Sequence, residues 1–157
     1  MASLGAILLL GGLTGVSASC VLVVDDTECG PNAYEYRGAC FCEDGFEGDP
    51  GFDEGCDPIM TVRITDDCDD SADIGWKLFS DDRDWTWPSG TAVYVTPGLG
   101  LDGYETITCK DGEQICFGAE SESGLTWGVG TDFSQGCEDC CFICGPYEHD
   151  LGFLTCG

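Results

Sequence analysis

Apolar and polar positions alternate along this chain in short bursts. In Met60-Thr61-Val62-Arg63-Ile64-Thr65 the apolar side chains fall on every second residue, the period of a half-buried β-strand. Residues 91–96 repeat the pattern, and residues 74–80 follow it less cleanly. Further β-branched or aromatic runs cover 104–109, 114–117, 125–129, 140–144 and 151–156. Asp, Gly, Ser and Pro clusters such as Pro97-Gly98 and Asp111-Gly112 separate them. No segment keeps a helical apolar period for three turns. About eight short strands in about a hundred residues predict an antiparallel β-sandwich or small barrel over residues 58–157. The alternation assigns Trp76 and Trp127 to the core. Asp111-Gly112 is a hairpin signal, and it would bring Cys109 and Cys116 onto neighbouring strands within pairing reach.

The first residues read differently. Residues 1–24 carry no charged side chain, and Leu4-Gly5-Ala6-Ile7-Leu8-Leu9-Leu10 is followed by small residues around Val16-Ser17-Ala18. That order predicts a signal peptide over 1–19 with a small-residue cleavage region at Val16-Ser17-Ala18, although the basic start of such peptides is missing. Cys20 follows at once. Ser17-Ala18-Ser19-Cys20 resembles a bacterial lipobox, with Ser17 where Leu is usual. The resemblance implies lipidation of Cys20 and hence a surface anchor, the alternative being free secretion. With 13 cysteines in all, a lipid on Cys20 would leave an even number for disulfides.

Residues 25–57 are turn-rich and poor in apolar side chains, so they need cross-links to hold a shape. The sequence Cys40-Phe41-Cys42-Glu43-Asp44-Gly45-Phe46-Glu47-Gly48, closed by Cys56, resembles the second half of an EGF-like module, in a divergent form with four cysteines. The resemblance implies a Cys42–Cys56 bond, which leaves Cys29 to Cys40. Asp25-Asp26-Thr27-Glu28-Cys29 also resembles the start of a calcium-binding EGF module and implies Asp25 and Glu28 as ligands. Few other oxygen ligands are offered, and an acidic linker is the alternative. Apart from that calcium, no cofactor is expected. Downstream, residues 115–119, 127–130 and 137–141 are similar to unnamed cysteine-rich modules of secreted bacterial proteins, which implies only a compartment.

Composition narrows the partners. Thirty acidic residues face 5 basic ones, a formal net charge of −25. A basic patch for nucleic acid or an anionic lipid surface cannot be built, so membrane contact would come only through a lipid on Cys20. Cysteine is about 8% of the chain, near the level of secreted disulfide scaffolds. Cys137-x-x-Cys140-Cys141-x-x-Cys144 has the spacing of a zinc site. Adjacent cysteines in a strand point to opposite faces, however, and an exported chain oxidises its thiols. Disulfides are therefore expected, with Cys140 and Cys141 stapling to two different neighbours. Cys68, Cys109, Cys116, Cys137, Cys140, Cys141, Cys144 and Cys156 allow 105 pairings, among which the sequence does not choose.

Candidate chemistry is sparse. The one histidine, His149, sits in Pro146-Tyr147-Glu148-His149-Asp150, which reads as an exposed loop, and no nucleophile or phosphate-loop motif occurs. Asp66-Asp67-Cys68-Asp69-Asp70-Ser71-Ala72-Asp73 lacks calcium-loop spacing and reads as a solvated loop. Trp85-Thr86-Trp87-Pro88 is the best binding candidate: in an extended segment Trp85 and Trp87 share a face, so the pair would serve as a sugar-stacking platform or as core. These features describe a non-enzymatic extracellular or surface-anchored module for adhesion or recognition of a protein or glycan. A carbohydrate-binding protein using Trp85 and Trp87 and a structural subunit of a surface layer or filament are the alternatives.

Overall fold

The computed structural model describes residues 28–51 and 53–156. The expected signal peptide, Cys20 and Asp25 lie outside the described residues; Glu28 lies within them and is exposed. All regular structure among the described residues is β. A two-stranded hairpin comes first, β1 (Ala33–Tyr36) with β2 (Ala39–Cys42). Next are β3 (Phe46–Asp49), β4 (Gly55–Asp67), β5 (Ile74–Ser80) and β6 (Trp85–Trp87). Two residues, Tyr94–Val95, form β7; β8 (Asp102–Thr108) and β9 (Gln114–Ser121) follow. The chain closes with β10 (Thr126–Gly128), β11 (Cys141–Ile143) and β12 (Glu148–Thr155).

Two sheets form a sandwich. One is built on β4, which pairs with β3, with antiparallel β8 and with parallel β12. The other runs β10-β9-β5-β6, with β11 also on β9 and β7 also on β5. Strand alternation sends Met60, Val62 and Ile64 of β4 inward to meet Ile74, Trp76 and Leu78 of β5 and Ile115, Phe117 and Ala119 of β9. Trp76 is 1% exposed, and Trp127 packs partly buried against the same cluster. The expected module boundary after residue 57 falls inside β4, whose first residues pair with β3. The hairpin β1–β2 turns Tyr34, Tyr36 and Phe41 to solvent, while Cys40 and Cys42 tie it down.

Among the described residues six disulfides form: Cys29–Cys40, Cys42–Cys56, Cys68–Cys156, Cys109–Cys144, Cys116–Cys141 and Cys137–Cys140. Cys109 does not bond Cys116. The Asp111-Gly112 turn is not a hairpin, because β8 pairs with β4 and β9 with β5, so the turn carries the chain from one sheet to the other. Cys109 therefore meets Cys144, while Cys116 meets its cross-strand partner Cys141. Cys140 precedes β11 and closes a local loop with Cys137, so only Cys141 staples to a neighbouring strand. Within residues 91–96 only Tyr94 and Val95 pair. His149 lies in β12 and is half-buried, not in an exposed loop, because β12 extends back to Glu148.

The outer face of β4 holds the sheet laterally. Arg63 reaches Asp102 on β8 at 3.4 Å and Glu148 on β12 at 3.7 Å, and also bonds Asp150. At the end of the parallel pair, Cys68 after β4 joins Cys156 after β12, a separation of 88 residues. Closing so long a loop removes chain entropy worth about 4–5 kcal/mol from the unfolded state. Replacing both cysteines, Cys68→Ser with Cys156→Ser, should lower the melting temperature by about 10 °C or more. Calorimetry checks this, with protection of the β12 amides lost first in hydrogen exchange.

Candidate functional site

A groove lined by the exposed side chains of Trp85 and Phe133 lies where β5 turns into β6. The turn is made locally. The Arg83 amide donates to Ser80 Oγ at 3.1 Å, the Trp85 amide to the Arg83 carbonyl at 2.8 Å, and the Asp81 amide to the Gln114 carbonyl at 2.9 Å. β6 then pairs back on β5, with Trp85 opposite Ser80 and Trp87 opposite Leu78. Alternation puts both indoles on the side of Arg83, whose guanidinium carbon is 5.7 Å from the Trp85 ring centre and 5.6 Å from that of Trp87. Their environments differ. Trp85 is 50% exposed, whereas Trp87 is partly buried against the core cluster. Only Trp85 lines the groove, so the two rings do not form one open platform.

The opposite wall comes from the loop after β10. Phe133 is 44% exposed, and its ring lies 5.2 Å from that of Phe79 on β5. Its φ of 60° is left-handed, unusual for a bulky residue. The conformation is held by neighbours: the Ser134 amide donates to Asp132 Oδ1 at 3.1 Å and the Gln135 amide to the Val129 carbonyl at 3.1 Å. The loop lies directly on β9 because position 118 is glycine; a Cβ there would stand 1.9 Å from the Gly130 carbonyl oxygen. Between the walls is a cavity of about 430 Å³, edged by Asp81, Asp84 and Asp132.

Arg83 is fixed from below by Glu113, which is 4% exposed. Glu113 accepts from Arg83 Nε and Ser80 Oγ, from Arg83 Nη2 at 2.9 Å, and from the Lys110 amide at 2.8 Å. Burial alone would raise the Glu113 pKa. The hydrogen bonds from Arg83, Ser80 and the Lys110 amide outweigh it and hold the carboxyl below the ordinary range. The pair is a buried carboxylate with all its donors in place, which is what makes such a charge tolerable.

Elsewhere the acidic side chains serve local bonds. Asp66 is buried, against the expectation of a solvated loop, because it accepts from the Cys68 amide at 3.0 Å and Thr96 Oγ1 at 3.3 Å. Cys68, Asp70 and Cys156 lie close together, but both sulfurs are in the disulfide and supply no thiolate. His149 stacks on Phe142 with ring centres 3.8 Å apart. It bonds no hydroxyl or thiol among the described residues. Burial lowers its pKa, partly offset by Asp150.

The sequence pointed to Trp85 but not to Phe79, Arg83, Asp132 or Phe133. Arg83 beside Trp85 and an aromatic residue within Thr131-Asp132-Phe133-Ser134 were the available signals. Compared with family models, with curated proteins and with solved structures, the chain matches none.

Four outcomes follow from this geometry. Glu113→Gln should destabilise the fold by about 2–3 kcal/mol in urea titration, since Arg83 and the Lys110 amide lose a charged acceptor. A carboxyl whose pKa is lowered by folding stabilises above its unfolded value, and that contribution is lost as pH falls through the folded one. The Glu113→Gln protein should therefore show a flatter loss of stability below about pH 4.5 than the parent. His149 should titrate by NMR with a midpoint below about 6.5, which removes stability as the pH falls below that value, because the unfolded chain takes the proton first. Gly118→Ala should cost about 1–3 kcal/mol by overpacking and shift the Phe133 ring resonances.

Proposed function

We propose that this protein is a non-enzymatic extracellular recognition module, secreted or anchored through a lipid on Cys20, whose ligand docks in the groove between Trp85 and Phe133. The many disulfides suggest an extracellular environment. No helix among the described residues is long and apolar enough to cross a membrane. The observation that carries the reading is that two large aromatic side chains, each about half exposed, face one cavity on backbone fixed by hydrogen bonds. Ordered aromatic rings at a groove supply contact area at little entropic cost, as in recognition surfaces generally.

A carbohydrate ligand is the second reading. It is favoured by the open face of Trp85 beside carboxylates able to accept from sugar hydroxyls, with Trp87 buttressing from the core side. A panel of immobilised glycans and extracellular matrix proteins tests both. At least one member should bind the full chain and lose about tenfold or more in affinity with Trp85→Ala, the loss of one well-placed aromatic contact. Binding to no member, or binding that Trp85→Ala leaves unchanged, would overturn the reading.

A further inference from the structure

Building on that reading, we infer that the Trp85 groove recognises a cationic partner, specifically a lysine- or arginine-bearing segment of a basic protein. The groove combines two features that separately attract a cation. Trp85 and Phe133 line it, each about half exposed, with the buried Phe79 ring packed against Phe133, and the negative quadrupole of an exposed ring draws an ammonium or guanidinium group. Its rim carries Asp81, Asp84 and Asp132, and none of the three is in an ion pair among the described residues.

The groove's own cation does not satisfy those carboxylates. Arg83 is committed to Glu113 through two donor nitrogens and lies over the indoles. Its charge is thus balanced from below, and the three aspartates keep theirs. Arg83 also demonstrates the chemistry within the molecule, since a guanidinium already packs on the Trp85 and Trp87 rings. The Asp132 carboxylate accepts from the Ser134 amide, and hydrogen bonds from that residue hold its pKa below the ordinary range.

Long-range charge selects among cationic sources. The remaining cations are also engaged or isolated. Arg63 sits among three carboxylates, Lys110 bonds Asp57 at 2.6 Å, Lys77 is buried on the Gly90 carbonyl at 2.6 Å, and Arg37 lies over Tyr36. With a formal net charge of −25, the surface around the groove draws a multiply charged basic segment more strongly than a single charged group. Acidic peptides and polyanions are repelled by the same field. A second copy of this chain is repelled too.

The test uses a fluorescein-labelled peptide of alternating lysine, arginine and glycine, read by anisotropy against the full chain. An acidic peptide of equal length, a chitosan oligosaccharide and a neutral oligosaccharide are run beside it. The basic peptide should bind, and Trp85→Ala should weaken it about tenfold or more. Asp84→Asn with Asp132→Asn should also weaken it about tenfold; asparagine at 132 retains an oxygen for the Ser134 amide, so the loop keeps its shape. Basic-peptide binding that falls with salt but ignores Trp85→Ala would mean unspecific attraction to an acidic surface and would overturn the inference. Binding of chitosan without the peptide would overturn it in favour of an amino sugar. Binding of the neutral oligosaccharide alone, lost with Trp85→Ala, would overturn the cationic assignment while leaving the recognition reading standing. Binding of none of the probes would also overturn the cationic assignment, and the glycan and matrix panel would then judge the recognition reading separately.

Discussion

The structure depends on one buried covalent link between its two sheets, the Cys109–Cys144 disulfide. Cys109 follows β8 on one sheet, Cys144 follows β11 on the other, and both are almost fully buried in the core cluster. A sandwich can slide or splay where its sheets meet only through apolar side chains, whose attraction has no direction. A bond through the core sets their separation at that end. It also sets the turn that follows. The Glu113 amide donates to the Lys110 carbonyl at 2.9 Å and the Cys144 amide to the Glu113 carbonyl at 2.8 Å, so the backbone of residues 110–113 is held between the two half-cystines. From that turn Glu113 reaches Ser80 and Arg83, and Arg83 reaches the indoles of β6. The groove wall is thus connected to the inter-sheet bond by a short chain of named contacts.

Scarcity of cations is the second constraint. Thirty carboxylates share 5 lysines and arginines, and three of those few hold elements together through ion pairs. Arg63 bridges β8 and β12 across β4, Arg83 secures the β5–β6 turn, and Lys110 ties the inter-sheet turn to β4 through Asp57. Cohesion must therefore come from core burial and disulfides, while self-repulsion of the surface works against compactness. The same imbalance leaves the groove's rim unpaired, so the feature that burdens the fold equips the site.

Much of the sandwich was legible because alternation reports burial directly. Residues 60–65 and 74–80 are strands with the inward side chains their pattern predicts. The turn at Asp111-Gly112 was misread for a physical reason. Local turn chemistry fixes a change of direction, but which sheet the next strand joins is decided by distant pairing, here β9 on β5. Cys140 and Cys141 were misread for a similar reason, since only one of them lies in a strand. At the site, Trp85 announced itself by residue type. Phe133 did not, because its place beside Phe79 requires the loop to lie on Gly118, and a glycine in a strand gives no sign of what will cross it.

The inter-sheet bond is open to direct measurement. Proteolysis of the intact, non-reduced protein followed by mass spectrometry reads the partners of Cys109, Cys116, Cys141 and Cys144. The account predicts peptides joined Cys109–Cys144 and Cys116–Cys141. A Cys109–Cys116 peptide would make residues 110–115 a simple hairpin, free the turn from the second sheet, and contradict the path from the core to the groove.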